Sequence, residues 1–272
     1  MPELPEVELT ARNLRTWARG ATISDARIAK TRITRGGSID ARALIGRRIA
    51  SVDRRGKWLR LTLDDDRRLF SHLGMTGRWV RRTIDAPEER SERLRFDVTR
   101  RDRETSLRYL DQRMFGRLLV ADEDIEEWTS LGPDPLIDGV DGRLLARAIG
   151  NRKRTIKEVL MDQAVLAGIG NIQATEALWR ARIDPRTKAS ELSSRRLGAL
   201  ARAIGWTLDR TLGLEEGPEI QYVEDPGAPN PFVVYGRDGE PCPRCRTTLV
   251  RIVLGGRATV LCPTCQLNQD VE

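Results

Sequence analysis

Two stretches of this 272-residue chain carry reactive chemistry in their residue types and spacing. The first is Met1-Pro2-Glu3-Leu4-Pro5-Glu6-Val7-Glu8, which puts a proline in second position with carboxylates directly behind it. Removal of Met1 makes Pro2 a free secondary amine. Such an amine titrates near neutrality and attacks an electrophilic carbon as lysine amines do when they form Schiff bases. Glu3, beside that nitrogen, can then move protons. With Met1 retained, the Pro2 nitrogen is an amide without nucleophilicity, and the same residues merely open a helix. The second stretch holds all four cysteines, as Cys242-Pro243-Arg244-Cys245 and Cys262-Pro263-Thr264-Cys265. Two C-x2-C pairs sixteen residues apart suit four thiolates around one structural zinc ion. Two disulfides are the alternative, disfavoured in a chain without a secretion signal. His72 is the single histidine, so Ser-His catalysis and His-rich metal sites have almost no material. Gly56-Lys57 is followed by Trp58 and forms no Walker loop.

The elements that must position these ends can be read in order. Leu4, Val7, Ala11, Leu14 and Ala18 recur at helical spacing, with Pro5 in the first turn and Gly20 at the stop, so a helix aims Pro2 outward from its start. Residues 21 to about 121 read as short strands: Thr22–Ile28, Arg48–Asp53, Lys57–Leu63, Arg68–Leu73, Arg93–Val98, Ser106–Leu110 and Arg117–Val120. Polar turns between them suggest a sandwich or barrel. Acidic residues 122–127 and Gly132-Pro133-Asp134-Pro135 break the pattern and mark a boundary. Thr155-Ile156-Lys157-Glu158 is a capping box opening a helix that runs to just before Gly168-Ile169-Gly170-Asn171. Helical spacing resumes over 172–183 and again over roughly 190–212. The glycine turn can present backbone N–H groups to phosphate, or be an ordinary hairpin with Asn171 as N-cap. Residues 213–234 form a long Gly- and Pro-rich loop, and 247–253 with 258–261 form a β-hairpin between the cysteine pairs, Arg257 at its turn. The expected fold is α+β: an N-terminal helix with an antiparallel β-sandwich over 1–125, a helical domain over 126–234 and a zinc ribbon over 235–272.

Lys and Arg number 47 against 40 Asp and Glu, a formal charge of +7 with Arg dominant, which points to a polyanionic partner. An Arg-for-Lys bias of composition is the competing explanation. No apolar run approaches a membrane span and no signal peptide is seen, so a cytoplasmic monomer is expected.

Taken in order, these pieces resemble the formamidopyrimidine-DNA glycosylase and endonuclease VIII family of base-excision repair enzymes. The resemblance spans nearly the whole chain. It rests on residues 2–8, Arg55-Gly56-Lys57, His72-Leu73-Gly74-Met75-Thr76-Gly77, Asp111-Gln112-Arg113-Met114-Phe115-Gly116, Gly168-Ile169-Gly170-Asn171-Ile172 and the cysteine ribbon. It implies a helix-two-turn-helix in the middle domain and one structural zinc ion held by Cys242, Cys245, Cys262 and Cys265. It also implies that Pro2 attacks C1′ of a damaged nucleotide in double-stranded DNA, that Glu3 handles protons, that Glu6 supports the N-terminus and that Lys57 reaches a phosphate or the base. His72, Asn171 and Arg257 are implied in DNA contact. Met75, Arg113 and Phe115 match the family's residues for filling the void left by a flipped base, a task that suits an apolar wedge with an arginine. That trio resembles the 8-oxoguanine branch, which implies excision of oxidised purines opposite cytosine, followed by β,δ-elimination.

The chain departs from the family pattern at Gln173, where Tyr is usual, at Met114, where Arg or Lys is usual, and in the acidic, proline-laden 213–234 segment. The loop over the flipped base is the part most changed. Oxidised pyrimidines or bulkier adducts are therefore an alternative substrate class. A zinc-containing protein that binds distorted DNA without cutting it is an alternative of a different kind.

Overall fold

A computed structural model describes residues 2–29, 32–34, 40–214, 217 and 219–267. Met1, with the question of its removal, lies outside the described residues, as do Glu215, Glu216 and Pro218 of the acidic segment. The contacts divide the chain into two compact units, residues 1–129 with 215–226, and residues 130–214 with 227–272. This differs from the expected partition at 125 and 234. The stretch 219–226 is bonded to the first unit, and the ribbon shares a core with a helix of the second.

The first unit opens with α1 (Leu4–Ala18), the helix expected from its apolar spacing. Two four-stranded antiparallel sheets follow. One has the order β1-β6-β7-β5 and the other β2-β3-β4-β8. Their ranges are β1 Thr22–Ile28, β2 Ile49–Arg55, β3 Trp58–Leu63, β4 Arg68–His72, β5 Arg78–Arg82, β6 Glu92–Arg100, β7 Arg103–Leu110 and β8 Arg117–Ala121. Alternating burial in β3 follows its Trp58-Leu59-Arg60-Leu61-Thr62-Leu63 pattern. One core joins the apolar face of α1 (Val7, Ala11, Leu14) to residues of both sheets such as Ile23, Leu59, Leu69, Phe96 and Leu107. β5 was not expected from sequence. In Arg78-Trp79-Val80-Arg81-Arg82 two apolar residues stand side by side among arginines, and both are buried, so the alternation that signals a strand is missing.

The second unit follows a short α2 (Glu126–Thr129) and holds α3 (Gly142–Ile149), α4 (Ile156–Leu160), α5 (Asn171–Arg180) and α6 (Ser194–Leu214), then the hairpin β9 (Val250–Leu254) and β10 (Arg257–Leu261). The Thr155–Glu158 capping box is formed. Yet α4 ends at Leu160 rather than running to the glycines, because residues 161–170 make successive turns around Gln163. The Gln163 amide donates to the carbonyls of Met161 and Ile169 at 2.8 and 2.9 Å, and its oxygen accepts from Gly168 N–H at 2.8 Å. Among the described residues, no helix is long and apolar enough to cross a membrane.

Candidate active site

Glu3 is the N-cap of α1, and Pro5 fits the first turn, where its missing N–H costs nothing. The Glu3 and Glu6 side chains cap each other's backbone N–H groups, with Glu3 N–H donating to Glu6 Oε2 at 2.8 Å. Pro2, Glu3 and Glu6 are all buried. Burial, and then the nearby Glu3 charge, push the Glu6 carboxyl up to about 7. The N-terminus of the helix therefore holds a proton-exchanging group at neutral pH beside the nucleophile candidate.

A second carboxylate of the same helix fixes that end to the sheet. Glu8 Oε2 accepts from Nε of the buried Arg54 at 2.8 Å, and Arg15 Nε donates to Val52 O at 2.9 Å. The Arg54 guanidinium holds the Glu8 carboxyl below its ordinary range despite the opposing effect of burial. Arg54 also donates to Gly56 O, in the two-residue turn joining β2 to β3. Lys57 sits in that turn, not on the strand where the sequence pattern put it. Gly56 takes φ +55° at the first turn position, leaving Lys57 just before Trp58 starts the ladder. Trp58 pairs in register with His72. The His72 imidazole lies edge-on to the indole at 5.0 Å, and its Nδ1 accepts from Gly74 N–H at 3.1 Å. Burial, with the charges of Lys57 and Arg117, pushes His72 down to about 4. It is neutral at pH 7 and holds the next loop rather than a charge.

That loop, 73–77, carries Met75 and interlocks with loop 111–116, which carries Arg113 and Phe115. Gly74 has φ +64°, and a Cβ there would run into the backbone of Phe115. Asp111 organises the meeting. Its Oδ1 accepts from Thr76 Oγ1 at 2.6 Å and Met114 N–H at 3.0 Å, and its Oδ2 accepts from Gly116 N–H at 2.8 Å. Arg113 N–H donates to Thr76 Oγ1 at 3.1 Å. Phe115 stays 47% exposed, a large apolar ring kept in water. Met114, in place of the family's basic residue, is half-buried against the core with φ +54°.

Residues 219–226 lie along β5 as a strap. Tyr222 Oη donates to Gly77 O at 2.6 Å, Arg78 pairs with Asp225 at 2.8 Å, and Arg82 pairs with Glu219. The Arg78 guanidinium also stacks on the Tyr222 ring at 4.7 Å. A cleft of about 480 Å³ is lined by Thr76, Arg78 and Gln112 together with strap residues Ile220, Gln221 and Asp225.

In the second unit Asn171 is the first residue of α5, with Gly170 rather than Asn171 as its N-cap. The Asn171 side-chain amide donates to Ala258 O at 3.0 Å, next in chain to the exposed Arg257, so the glycine turn and the tip of the ribbon come together. Lys157, buried and missed from sequence, donates to the same carbonyl and to the hydroxyls of Thr175 and Thr259. Its place inside the capping box was the available signal. The four cysteine sulfurs lie within 4.8 Å of one another, close to the roughly 3.8 Å edge of a tetrahedron with Zn–S near 2.3 Å. The donor set fits one zinc ion with every position filled by protein. Arg244, inside the first pair, donates to the carbonyls of Trp179 and Arg180 at the end of α5, tying the ribbon to the helix that begins at Asn171. Gln173 faces inward and donates to Thr211 Oγ1 at 3.0 Å, which commits its amide to the α5–α6 packing.

Comparison with known proteins bears on the whole arrangement. Residues 1–118 match the formamidopyrimidine-DNA glycosylase N-terminal domain, 131–221 the formamidopyrimidine-DNA glycosylase H2TH domain, and 239–268 the zinc finger found in FPG and IleRS. The formamidopyrimidine-DNA glycosylase of Chloroflexus aurantiacus is 38% identical over 99% of both chains. That of Novosphingobium aromaticivorans is 39% identical over 98% of this chain and 100% of its own. The chain belongs to the formamidopyrimidine-DNA glycosylase family. Its enzyme class is that of a DNA glycosylase with AP lyase activity. Among solved structures, MutM in complex with DNA containing carbocyclic 8-oxo-G is similar with a TM-score of 0.86 and 32% identity, over 98% of this chain and all of that one. Lactococcus lactis Fpg bound to abasic DNA gives 0.86 and 30%, over 97% and 99%. The same L. lactis enzyme, in complex with DNA carrying an oxidised pyrimidine, gives 0.86 and 31%, over 98% and 100%.

Proposed function

We propose that the chain flips damaged bases out of double-stranded DNA, excises oxidised purines such as 8-oxoguanine and formamidopyrimidine, and cleaves the strand at the resulting site. The observation that carries this reading is the α1 start, where the buried Pro2 directly precedes the mutually capped Glu3–Glu6 pair and Glu8–Arg54 fixes that end to the Lys57 turn. Pro2 nitrogen attacks C1′ as the glycosidic bond breaks, and the base leaves with that electron pair and takes up a proton. Opening of the C1′–O4′ bond, with the proton released by the Pro2 nitrogen passing through Glu3 to O4′, gives an iminium between C1′ and Pro2. The iminium acidifies the C2′–H bond. Loss of that proton expels the 3′ phosphate, a second elimination expels the 5′ phosphate, and water releases the sugar remnant from Pro2. Met75 and Phe115 replace the lost stacking while Arg113 bonds the orphaned base, cytosine by preference. Asn171 and Arg257 hold phosphates around the flipped nucleotide. The enzyme works in the cytoplasm, on the nucleoid.

A second reading, oxidised pyrimidines by the same chemistry, is favoured by two observations. The strap that would cover the flipped base is built from this chain's own Glu219, Tyr222 and Asp225 anchors, and the related L. lactis enzyme is seen with such a lesion.

Borohydride trapping on duplexes carrying 8-oxoguanine, an oxidised pyrimidine or an abasic site tests both. A covalent adduct on 8-oxoguanine that needs a free N-terminus supports the first reading. Adducts on the pyrimidine and the abasic site alone move the substrate to the second, and no adduct on any duplex overturns the imine chemistry.

A further inference from the structure

Arg32 lies in a single 3-10 turn, Arg32–Thr34, 81 and 82 residues before the loop residues it bonds. Its neighbour Ile33 is 1% exposed and anchors that turn in the sandwich core, while Arg32 itself is exposed. The Arg32 side chain nonetheless bonds two successive backbone carbonyls. Nε donates to Met114 O at 2.8 Å and Nη2 donates to Arg113 O. Its guanidinium carbon stands 5.0 Å from the centroid of the Phe115 ring, and that of Arg113 stands 4.9 Å from the same ring. One side chain thus grips all three residues 113, 114 and 115, two by their carbonyls and one by its π face. The backbone it grips needs holding, because Met114 has φ +54°, a conformation residues with side chains rarely adopt. A planar fork of N–H donors matches two successive carbonyls as a lysine ammonium does not.

We infer that Arg32 is a positioning residue for base eversion. Its guanidinium fixes the 113–116 loop so that Phe115 stands out as a rigid wedge and Arg113 is aimed at the orphaned base. This rests on the reading of Met75, Arg113 and Phe115 as the void-filling set. Preorganisation matters here because Phe115 is 47% exposed, and a ring ordered only on contact with DNA would lose affinity to the ordering. Arg32 touches no reacting atom, so its loss degrades selection of the base pair more than the chemistry at Pro2.

The test compares excision of 8-oxoguanine opposite cytosine and opposite adenine, with the melting temperature recorded for each variant. Arg32→Ala is expected to lower kcat/KM opposite cytosine about tenfold, the loss of a charge-assisted fork and a cation–π contact, and to shrink the cytosine-to-adenine ratio. Arg32→Lys, which keeps the charge but not the planar two-nitrogen fork, falls between wild type and alanine. In a Phe115→Ala background, Arg32→Ala adds little further loss, since both act through one loop. Val98→Ala, a truncation in the same core away from the Arg32 turn, is the structural control, and it lowers the melting temperature without moving the ratio. If Arg32→Ala behaves like Val98→Ala, or its effect is fully additive with Phe115→Ala, the Arg32 assignment is overturned alone. If Phe115→Ala and Arg113→Ala also leave the ratio at the wild-type value, the void-filling reading falls and takes the Arg32 assignment with it.

Discussion

The start of α1 and the corner where Asn171 meets the zinc ribbon are both built around buried polar groups, and they are built in opposite ways. At α1, Glu3 and Glu6 are buried together, each side chain capping the other's backbone N–H, and burial with the Glu3 charge forces the Glu6 carboxyl up to about 7. At the ribbon corner, Lys157 is buried among hydroxyls and a carbonyl, and Asn171 offers its amide to that same carbonyl. The first site keeps a proton available at some cost in stability. The second satisfies its donors and holds a surface in shape. A reacting group needs the former environment and a phosphate grip needs the latter.

The largest effect is expected from blocking the first site. A form extended at its N-terminus, in which the Pro2 nitrogen is an amide, should give no borohydride-trapped adduct on any lesion while binding duplex DNA with wild-type affinity by gel shift. Glu3→Gln should slow strand cleavage by about 10²- to 10⁴-fold, the usual worth of a positioned acid or base. A comparable loss of DNA affinity in either form would show that the α1 start is part of the grip and erase the contrast.

Zinc removal should do the reverse. Chelation unfolds the ribbon, because thiolates at this spacing hold it by the metal, and Arg244 then releases the end of α5. DNA binding is expected to be lost while the sandwich keeps its cooperative melting transition. Retained binding after verified zinc loss would break the assignment. Within the corner, Arg257→Ala should weaken binding of all lesions alike, by about tenfold, and reduce the slope of log K against log salt by about 1. A loss confined to one lesion would make Arg257 a reader of the base rather than of phosphate.

The contrast also explains what could be read from sequence. Cysteine pairs and the helical spacing of 4–18 are local patterns, and both appear where they were expected. β5 escaped notice because its two buried residues are adjacent, and its place at a sheet edge is settled by pairing with β7, a long-range fact. Arg32, Arg54 and Lys157 did not stand out for a related reason. In a chain with 47 Lys and Arg, a cation signals solubility until the fold shows which ones are buried or forked onto carbonyls. Glu8 stood in the N-terminal motif, but its partner Arg54 lies 46 residues away. The 213–234 segment gave no period to read, and its alliance with β5 comes from side chains, Tyr222 on Gly77 and Asp225 on Arg78.

The smallest effect, and the sharpest on the α1 site, is a pH dependence of stability. Glu6 has its carboxyl raised from 4.5 to about 7 in the folded chain, so the native state binds more protons than the unfolded state between those values. Stability from this group therefore falls as pH rises from 4.5 to about 7 and levels off above. His72 works in the other direction. Lowered from 6.5 to about 4, it makes stability rise as pH climbs through that window, and the two slopes oppose each other in the wild type. Glu6→Gln removes one of them. The variant should match the wild type near pH 4.5 and exceed it at pH 8 by on the order of 1–3 kcal/mol, with a steeper rise between, measured by urea unfolding at several pH values. A stability difference that stays constant with pH would mean that Glu6 is ionised throughout, and that α1 holds a paired carboxylate rather than a proton in reserve.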